Sequence, residues 1–397
     1  MFILRYLSKT ILMLKKTFIF LLLYWVLSFS IFAQDNLSLK GYIKGMTAMQ
    51  TMGNVEDWSI ENTLHNRFDF NWYINEKLTF TVGLRNRIIS GDNISQIPDY
   101  RDYVSHDNAY FDLSLTWANE KSWVGLSQLD RLNLDYSIGN FQITLGRQRI
   151  NWGQSFVWNP NDLFNTYSYF DFDYEEKPGS DAIRMQYYIG ESSKIELSAS
   201  LNADKKITSA MLYRFNTNGY DIQFLTGIYS ESDYVIGGGW SGSIGGGGFN
   251  GELTYYHAIK NFSDYKGKIL ATLHYDYTFK NTLNLQFETL YNGYGAKDIK
   301  RGLEDILFTD LGPVNLFPTK VAFFAGVGYE LSPLIRANLS GMYGPKGNFI
   351  YVGPTIMYAM SETLELAVMG QYFSVENNIE SLINDGNSIF LRLKWSF

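Results

Sequence analysis

From about residue 37 to the C-terminus, apolar and polar positions alternate with period two in segments of about ten residues, the spacing of strands that face lipid on one side and water on the other. In "SIFLRLKWSF", Ile389, Leu391, Leu393, Trp395 and Phe397 share one face. Ser388, Arg392, Lys394 and Ser396 share the other with Phe390. In "TLNLQFETLY", Leu283, Leu285, Phe287 and Tyr291 oppose Asn284, Gln286 and Glu288; in "KLTFTVGLRNR", Leu78, Phe80, Val82 and Leu84 oppose Thr79, Thr81, Arg85 and Arg87.

The pattern predicts eighteen strands, at 37–47, 63–73, 78–88, 126–136, 141–149, 180–189, 194–202, 208–216, 220–229, 234–242, 249–257, 268–279, 282–291, 321–330, 334–343, 349–359, 363–373 and 388–397. A further alternating stretch, "YFDLSLTW" at 110–117, fits by pattern alone. Connection lengths decide against it as a spanning strand. Bacterial outer-membrane barrels have an even number of strands, with short periplasmic turns alternating with longer external loops. The turns "INEK", "SIGN", "GESS", "TNG", "KN", "LSP" and "MSE" alternate with the long connections 48–62, 89–125, 150–179, 292–320 and 374–387 only if 110–117 belongs to one large external loop. The expected fold is an all-β, transmembrane, antiparallel up-and-down barrel over 34–397. Trp72, Tyr73, Tyr275, Tyr277, Tyr329, Tyr343, Tyr358, Tyr372 and Trp395 sit where strands cross the interface, as an aromatic girdle requires. A soluble propeller or sandwich is the alternative fold, but needs no dozen strands with polar and apolar faces of equal length.

The leader adds the compartment. "MLKKTFIFLLLYWVLSFSIFAQ" from Met13 places two lysines ahead of an apolar run and a small residue, Ala33, before Gln34, the order of a secretory signal ending at residue 33. Met1 and Met13 both serve as candidate starts. A membrane anchor is the alternative, although the run is short for a span. Removing Arg5, Lys9, Lys15 and Lys16 with the leader takes the net charge from −7 to −11. That acidic balance, without a basic block, argues against nucleic acid as a partner. With no cysteine and 4 histidines, disulfides, thiolate chemistry and His-rich metal centres drop out, and no cofactor is implied.

"LGRQRINWG", followed by "WNPNDLFN" and "PGSDAIRMQYY", resembles porin-like outer-membrane barrel families that carry a GRQ…WG segment and an Asn-Pro-x-Asp element. The last strand, ending at Phe397, resembles the signal that the barrel assembly machinery reads. The resemblance implies a barrel in the outer membrane of a Gram-negative cell, surrounded by lipid and lipopolysaccharide, and it supplies no substrate.

About eighteen strands enclose a lumen too wide for side chains to fill. Parity turns Arg67, Arg85, Arg87, Arg131, Arg184, Arg214, Arg336 and Arg392 inward with Asp69, Asp135, Glu196, Asp221, Glu252, Asp276, Glu288 and Glu365. One reading is strand-bracing salt bridges. The other is a transverse field for hydrated solutes, with arginine suited to carboxylates or phosphates. The function expected is a channel for passive diffusion of small hydrophilic solutes, anionic ones favoured.

Strict alternation over 141–149 turns Arg147 and Arg149 toward lipid with Phe141, Ile143 and Leu145. Six residues on from Phe141 is ~20 Å along a strand, about 15 Å of height within an apolar band ~25 Å tall, where a lipid-facing arginine costs on the order of 2 kcal/mol. A bulge at Gly146 is expected to turn Arg147 and Arg149 inward. Beyond it, Trp152, Trp158 and the aromatics to Tyr174 should fold into the barrel as a constriction loop over 150–179. Asp162 is a candidate helix cap, and Arg147 or Arg149 would clamp to Asp162 or to Asp171 and Asp173 of "DFDYEE". An arginine and aromatic eyelet for solute is the second reading of the same residues.

Three patterns carry less. "GGGWSG" at 237–242 fits a nucleotide-loop consensus, yet no helix follows it. "DFDYEE" lacks the frame of a Ca²⁺ loop. Neither His65, His274, His257 nor His106 lies in a serine motif, which weighs against a barrel-embedded lipid hydrolase. A plugged structural or partner-binding barrel is the third reading.

Overall fold

The computed structural model describes residues 36–52, 58–96, 100–165, 169–170, 176, 178–260, 262–295, 312–346, 348–376 and 385–397. The leader and Asp171 and Asp173 lie outside them. The strands are β1 (Leu37–Met52), β2 (Ser59–Asn75), β3 (Leu78–Gly91), β4 (Ser114–Asn119), β5 (Trp123–Ile138), β6 (Phe141–Gln148), β7 (Ser180–Ile189), β8 (Ser193–Leu201), β9 (Ile207–Thr217) and β10 (Tyr220–Tyr229). They continue as β11 (Asp233–Ile244), β12 (Gly247–Ala258), β13 (Lys268–Thr278), β14 (Asn284–Asn292), β15 (Val321–Ser332), β16 (Ile335–Gly344), β17 (Phe349–Ala359), β18 (Leu364–Ser374) and β19 (Asp385–Ser396).

All but β4 form one closed antiparallel barrel of 18 strands. Closure gives each barrel strand a neighbour on both sides, as a bilayer demands. It is made by β1 on β19, where Tyr42 faces Ser396, and it continues to the last residue. The N–H of Phe397 donates to the Gly41 carbonyl and that of Gly41 to the Phe397 carbonyl, both at 3.0 Å. Gly41 is required there, because a Cβ would stand 2.2 Å from the Arg67 carbonyl oxygen of β2, as well as 2.9 Å from the Phe397 ring.

Outward positions are apolar and exposed around the ring, among them Leu64, Leu134, Ile183, Leu197, Phe224, Leu253, Phe287, Leu339 and Leu391. Inward positions divide into two regions. Around β1, β2, β3 and β5 they are basic and polar. Over the external half of β9 to β18 they are apolar: Leu212, Leu225, Val235, Tyr256, Leu270, Leu290, Phe324, Met342, Phe349, Tyr351 and Phe373 are all buried. A water-filled lumen would not place such residues inward. They form a core because chain from the long loops packs on them.

Strand β6 is only 8 residues long, whereas its neighbour β5 has 16. The lower part of β5 pairs with β6, Leu132 opposite Arg147; its upper part pairs with β4, Ser114 opposite Gln128. The 110–117 stretch is therefore part of the large external loop, and its alternation is also real. Phe111, Leu115 and Trp117 are exposed, continuing the lipid-facing surface above the point where β6 ends. The same loop sends two short helical turns, Asp92–Gln96 and Tyr100–Ser105, onto the inward side of β3 and β5, where Ile94 packs with Ile89, Val124 and Leu126. Burial, then the neighbouring Glu61 carboxylate, push the Tyr100 phenol well above its usual value.

Candidate functional site

After Gln148 the chain leaves the wall and enters the lumen. Ile150 and Trp152 are fully buried, with Val157, Trp158 and Leu163 nearly so. The Trp152 ring meets Phe164 edge to face at 5.1 Å, and Trp158 meets Phe317 at 5.7 Å. Further along, Tyr169 packs on Phe324 and Tyr351, and Phe170 on Tyr351 and Phe373. Burial raises the Tyr169 phenol above its ordinary range. This inserted chain thus lines the apolar half of the lumen from β8 to β18.

Its orphan backbone groups need acceptors, since an irregular segment has no ladder of its own. Three wall glutamates contribute to holding it. Glu288 on β14 accepts the N–H groups of Phe156 at 2.9 Å, Val157 at 3.0 Å and Trp158 at 2.8 Å. Glu252 on β12 accepts those of Gln154, Ser155 at 2.9 Å and Asn161 at 2.8 Å. Glu196 on β8 accepts the Trp152 indole N–H at 2.7 Å and is neutralised by Arg184 and by Lys194. Secondary ties come from Gln223 to the Trp152 carbonyl at 2.7 Å, Tyr256 to the Pro160 carbonyl at 2.9 Å, and Thr254 to Asn161 at 2.7 Å. His274 orients the Glu288 carboxylate through its Nδ1 at 3.1 Å and reaches Asp276 with Nε2 at 3.3 Å.

The expected clamp of Arg147 or Arg149 to Asp162 is not formed, and the one to Asp171 or Asp173 lies outside the described residues. The anchoring acids belong to the wall, and most of their donors are backbone amides of the loop rather than arginine. Asp162 is buried within the loop, its own N–H bonded to the Asn159 carbonyl at 3.1 Å, and no helix begins there. Arg149 is exposed, with no partner among the described residues.

Arg147 also departs from expectation. Pairing runs through Gly146 without a register shift, Leu134 opposite Leu145, Asn133 opposite Gly146 and Leu132 opposite Arg147. Gly146 has the anticipated positive φ of 107° but no inserted residue, so Arg147 keeps the outward parity of Leu145 and Ile183. It is nonetheless 2% exposed. Asp181, beside it on β7, takes the Nε–H at 2.9 Å, and Asp107 of the external loop takes an Nη1–H at 2.6 Å. The carbonyls of Leu129 and Phe111 accept two of its remaining donors, and Asp181 Oδ2 accepts the third at 3.0 Å. The wall is sealed on the lipid side by a distant loop segment, which removes the cost that a bulge was invoked to avoid.

The other predicted lumen residues fall into pairs. Arg67 bridges Asp69 and Asp130, and Asp130 is an extra residue at a β5 bulge. Arg85 donates to Gln128, Arg87 to the Val104 carbonyl, Arg214 to Gln223 at 2.6 Å and Arg392 to Glu365 at 2.6 Å. Arg131 reaches Glu176 at 3.6 Å. Asp135 accepts from Gln142 and Thr144. Arg336 is exposed on the inward parity of β16. Lys394, on the polar face of the last strand by alternation, lies 4.8 Å from the Tyr42 ring, and Lys44, which parity did not single out, is fully buried on β1. With Lys40 they extend the basic wall onto β1 and β19.

Neither a protein-family model nor a curated protein matches the sequence. Solved structures do. OccK11 (OpdR) of Pseudomonas aeruginosa matches at 9% identity and a TM-score of 0.58, covering 91% of this chain and 96% of that one. OccAB2 of Acinetobacter baumannii matches at 8% and 0.58, covering 91% and 98%. OprD of Pseudomonas aeruginosa matches at 10% and 0.57, covering 91% and 95%. At such identities the likeness is one of fold: the closed antiparallel barrel of 18 strands seen in OprD/Occ outer-membrane porins.

Proposed function

We propose that the protein is a porin-like channel of the Gram-negative outer membrane for passive diffusion of small hydrophilic solutes, with a preference for anionic ones. The observation that carries this reading is the division of the lumen. The inserted loop occupies the apolar half and takes up Glu252 and Glu288 with its amides. The facing wall of β19, β1, β2, β3 and β5 keeps Lys40, Lys44, Arg67, Arg85, Arg87, Arg131, Arg392 and Lys394 against Glu61, Asp69, Asp130 and Asp135, with Glu365 on Arg392 and Glu176 on Arg131. Such an excess of fixed positive charge beside a low-dielectric insert concentrates anions and repels cations. The GRQ…WG and Asn-Pro-x-Asp segments launch and seat the loop, and Phe397 ends the strand that assembly machinery would read.

Reversal potentials in planar bilayers across a KCl gradient test the preference. Anion selectivity, reduced in Arg336→Glu and Arg392→Gln channels, is the expected result. Cation selectivity, or no change in either variant, would reject it. A plugged structural barrel is the second reading, favoured by the burial of Lys44 and Arg67 at 0% and 3% exposure. It predicts no conductance until the loop is released.

A further inference from the structure

The short β6 leaves a crevice on the outside of the barrel. Where β6 ends, the segment 109–113 lies over the wall without forming a ladder to β7, and the space between them is lined by Phe111, Leu113, Ile183, Ala199, Leu201 and Ile207. Its volume of about 590 Å³ falls in the range of roughly 300–1,000 Å³ typical of pockets that hold a small organic ligand. Phe111, Ile183 and Ile207 are 60%, 48% and 45% exposed, so the crevice opens outward, onto the face that lipid covers. Its base is polar but fully used: Arg147 and Asp181 are bonded to one another and to the segment above.

At the external end of the crevice, the turn 202–206 joins β8 to β9 directly between the lining residues Leu201 and Ile207. The turn is fixed. Asn202 bridges Ala109, the Ala203 N–H donates to the Asn108 carbonyl at 3.1 Å, and Asn202 Oδ1 accepts the Lys206 N–H at 2.9 Å. Lys205 and Lys206 are exposed on it, with no side-chain partner among the described residues; Asp204 is the one acid of the turn. An apolar slot within the membrane, topped by paired ammonium groups at the external rim, is complementary to an amphiphile with an acyl chain below and a phosphate above.

We propose that this crevice binds an acyl chain of a phosphorylated lipid of the external leaflet, lipid A, with a phosphate on Lys205 and Lys206. The external leaflet is assigned because the turn 202–206 lies at the same rim as the long connections 92–122 and 149–179, and outer-membrane barrels carry their longer loops externally. The site is independent of the channel, so its occupancy leaves ion selectivity unchanged.

The test is native mass spectrometry of the full purified barrel titrated with bis-phosphorylated lipid A, dephosphorylated lipid A or phosphatidylglycerol. One lipid A per barrel is expected, weakened at least tenfold by Ala199→Trp, which fills the slot, and similarly by Lys205→Ala with Lys206→Ala. Dephosphorylated lipid A should bind as weakly as lipid A does to the lysine variant. Should Ala199→Trp fail to fold, the surface lysine variant decides alone. No retained lipid A, equal retention by the variants, or equal affinity for phosphatidylglycerol would overturn the assignment.

Discussion

The carboxylate of Glu288 on β14 accepts the backbone N–H of Trp158 at 2.8 Å, holding the tip of the inserted loop to the wall. The same carboxylate serves Phe156 and Val157, so one wall residue fixes three successive amides. Charged acceptors make the stronger class of hydrogen bond, about 1.5–3 kcal/mol each in net terms. Glu288→Ala should free the loop without unfolding the barrel. Limited proteolysis will then cut within 150–165 in the variant and spare the parent protein; an equally resistant variant would show that apolar packing alone seats the loop.

Trp152→Phe keeps an aromatic ring against Phe164 and removes the indole N–H that reaches Glu196 at 2.7 Å. A buried carboxylate then loses one of its donors, at a cost of about 1–3 kcal/mol. Urea unfolding followed by circular dichroism should show a lower midpoint with an unchanged slope.

Arg147→Ala strands Asp107 and Asp181 as buried, uncompensated charges, which costs about 3–5 kcal/mol when a buried pair loses one partner. Arg147→Lys should recover little of this, since an ammonium cannot supply the forked contacts made by Nε, Nη1 and Nη2. Thermal unfolding in detergent reads the loss. Reversal potentials should stay at the parent value, because Arg147 faces outward; a shift would place its charge in the lumen after all.

Gly146→Ala introduces strain at a φ of 107° and a Cβ 2.3 Å from the Leu132 carbonyl oxygen. A cost of about 1–3 kcal/mol is expected, coupled to the Arg147 seal directly above it. Refolding yield into detergent micelles will measure this, with Gly45→Ala, where a Cβ meets nothing within 4 Å, as the unstrained comparison.

The wall was legible because period-two patterning and turn length are local properties. Strands β7, β10 and β17 begin and end where alternation places them, and the even count follows from the connections. The loop contacts were less legible, because their partners are backbone amides that no side chain advertises. Glu252 and Glu288 sit among threonine, histidine and leucine on the inward parity with no arginine directly across the ladder, and that isolation was the available signal. A second was the run of apolar residues at inward positions, Leu212, Leu225, Val235, Leu270 and Leu290, which a wet channel would not carry. The Arg147 seal was beyond reach: it depends on β6 stopping short and on Asp107, some forty residues earlier, closing over the gap.

Single-channel conductance in planar bilayers, compared between the parent protein and a Glu252→Ala/Glu288→Ala variant, tests the central claim most directly. A small, steady conductance that rises several-fold when both wall carboxylates are removed is the predicted result. Equal conductance in the two, or none in either, would contradict a channel constricted by a carboxylate-held loop.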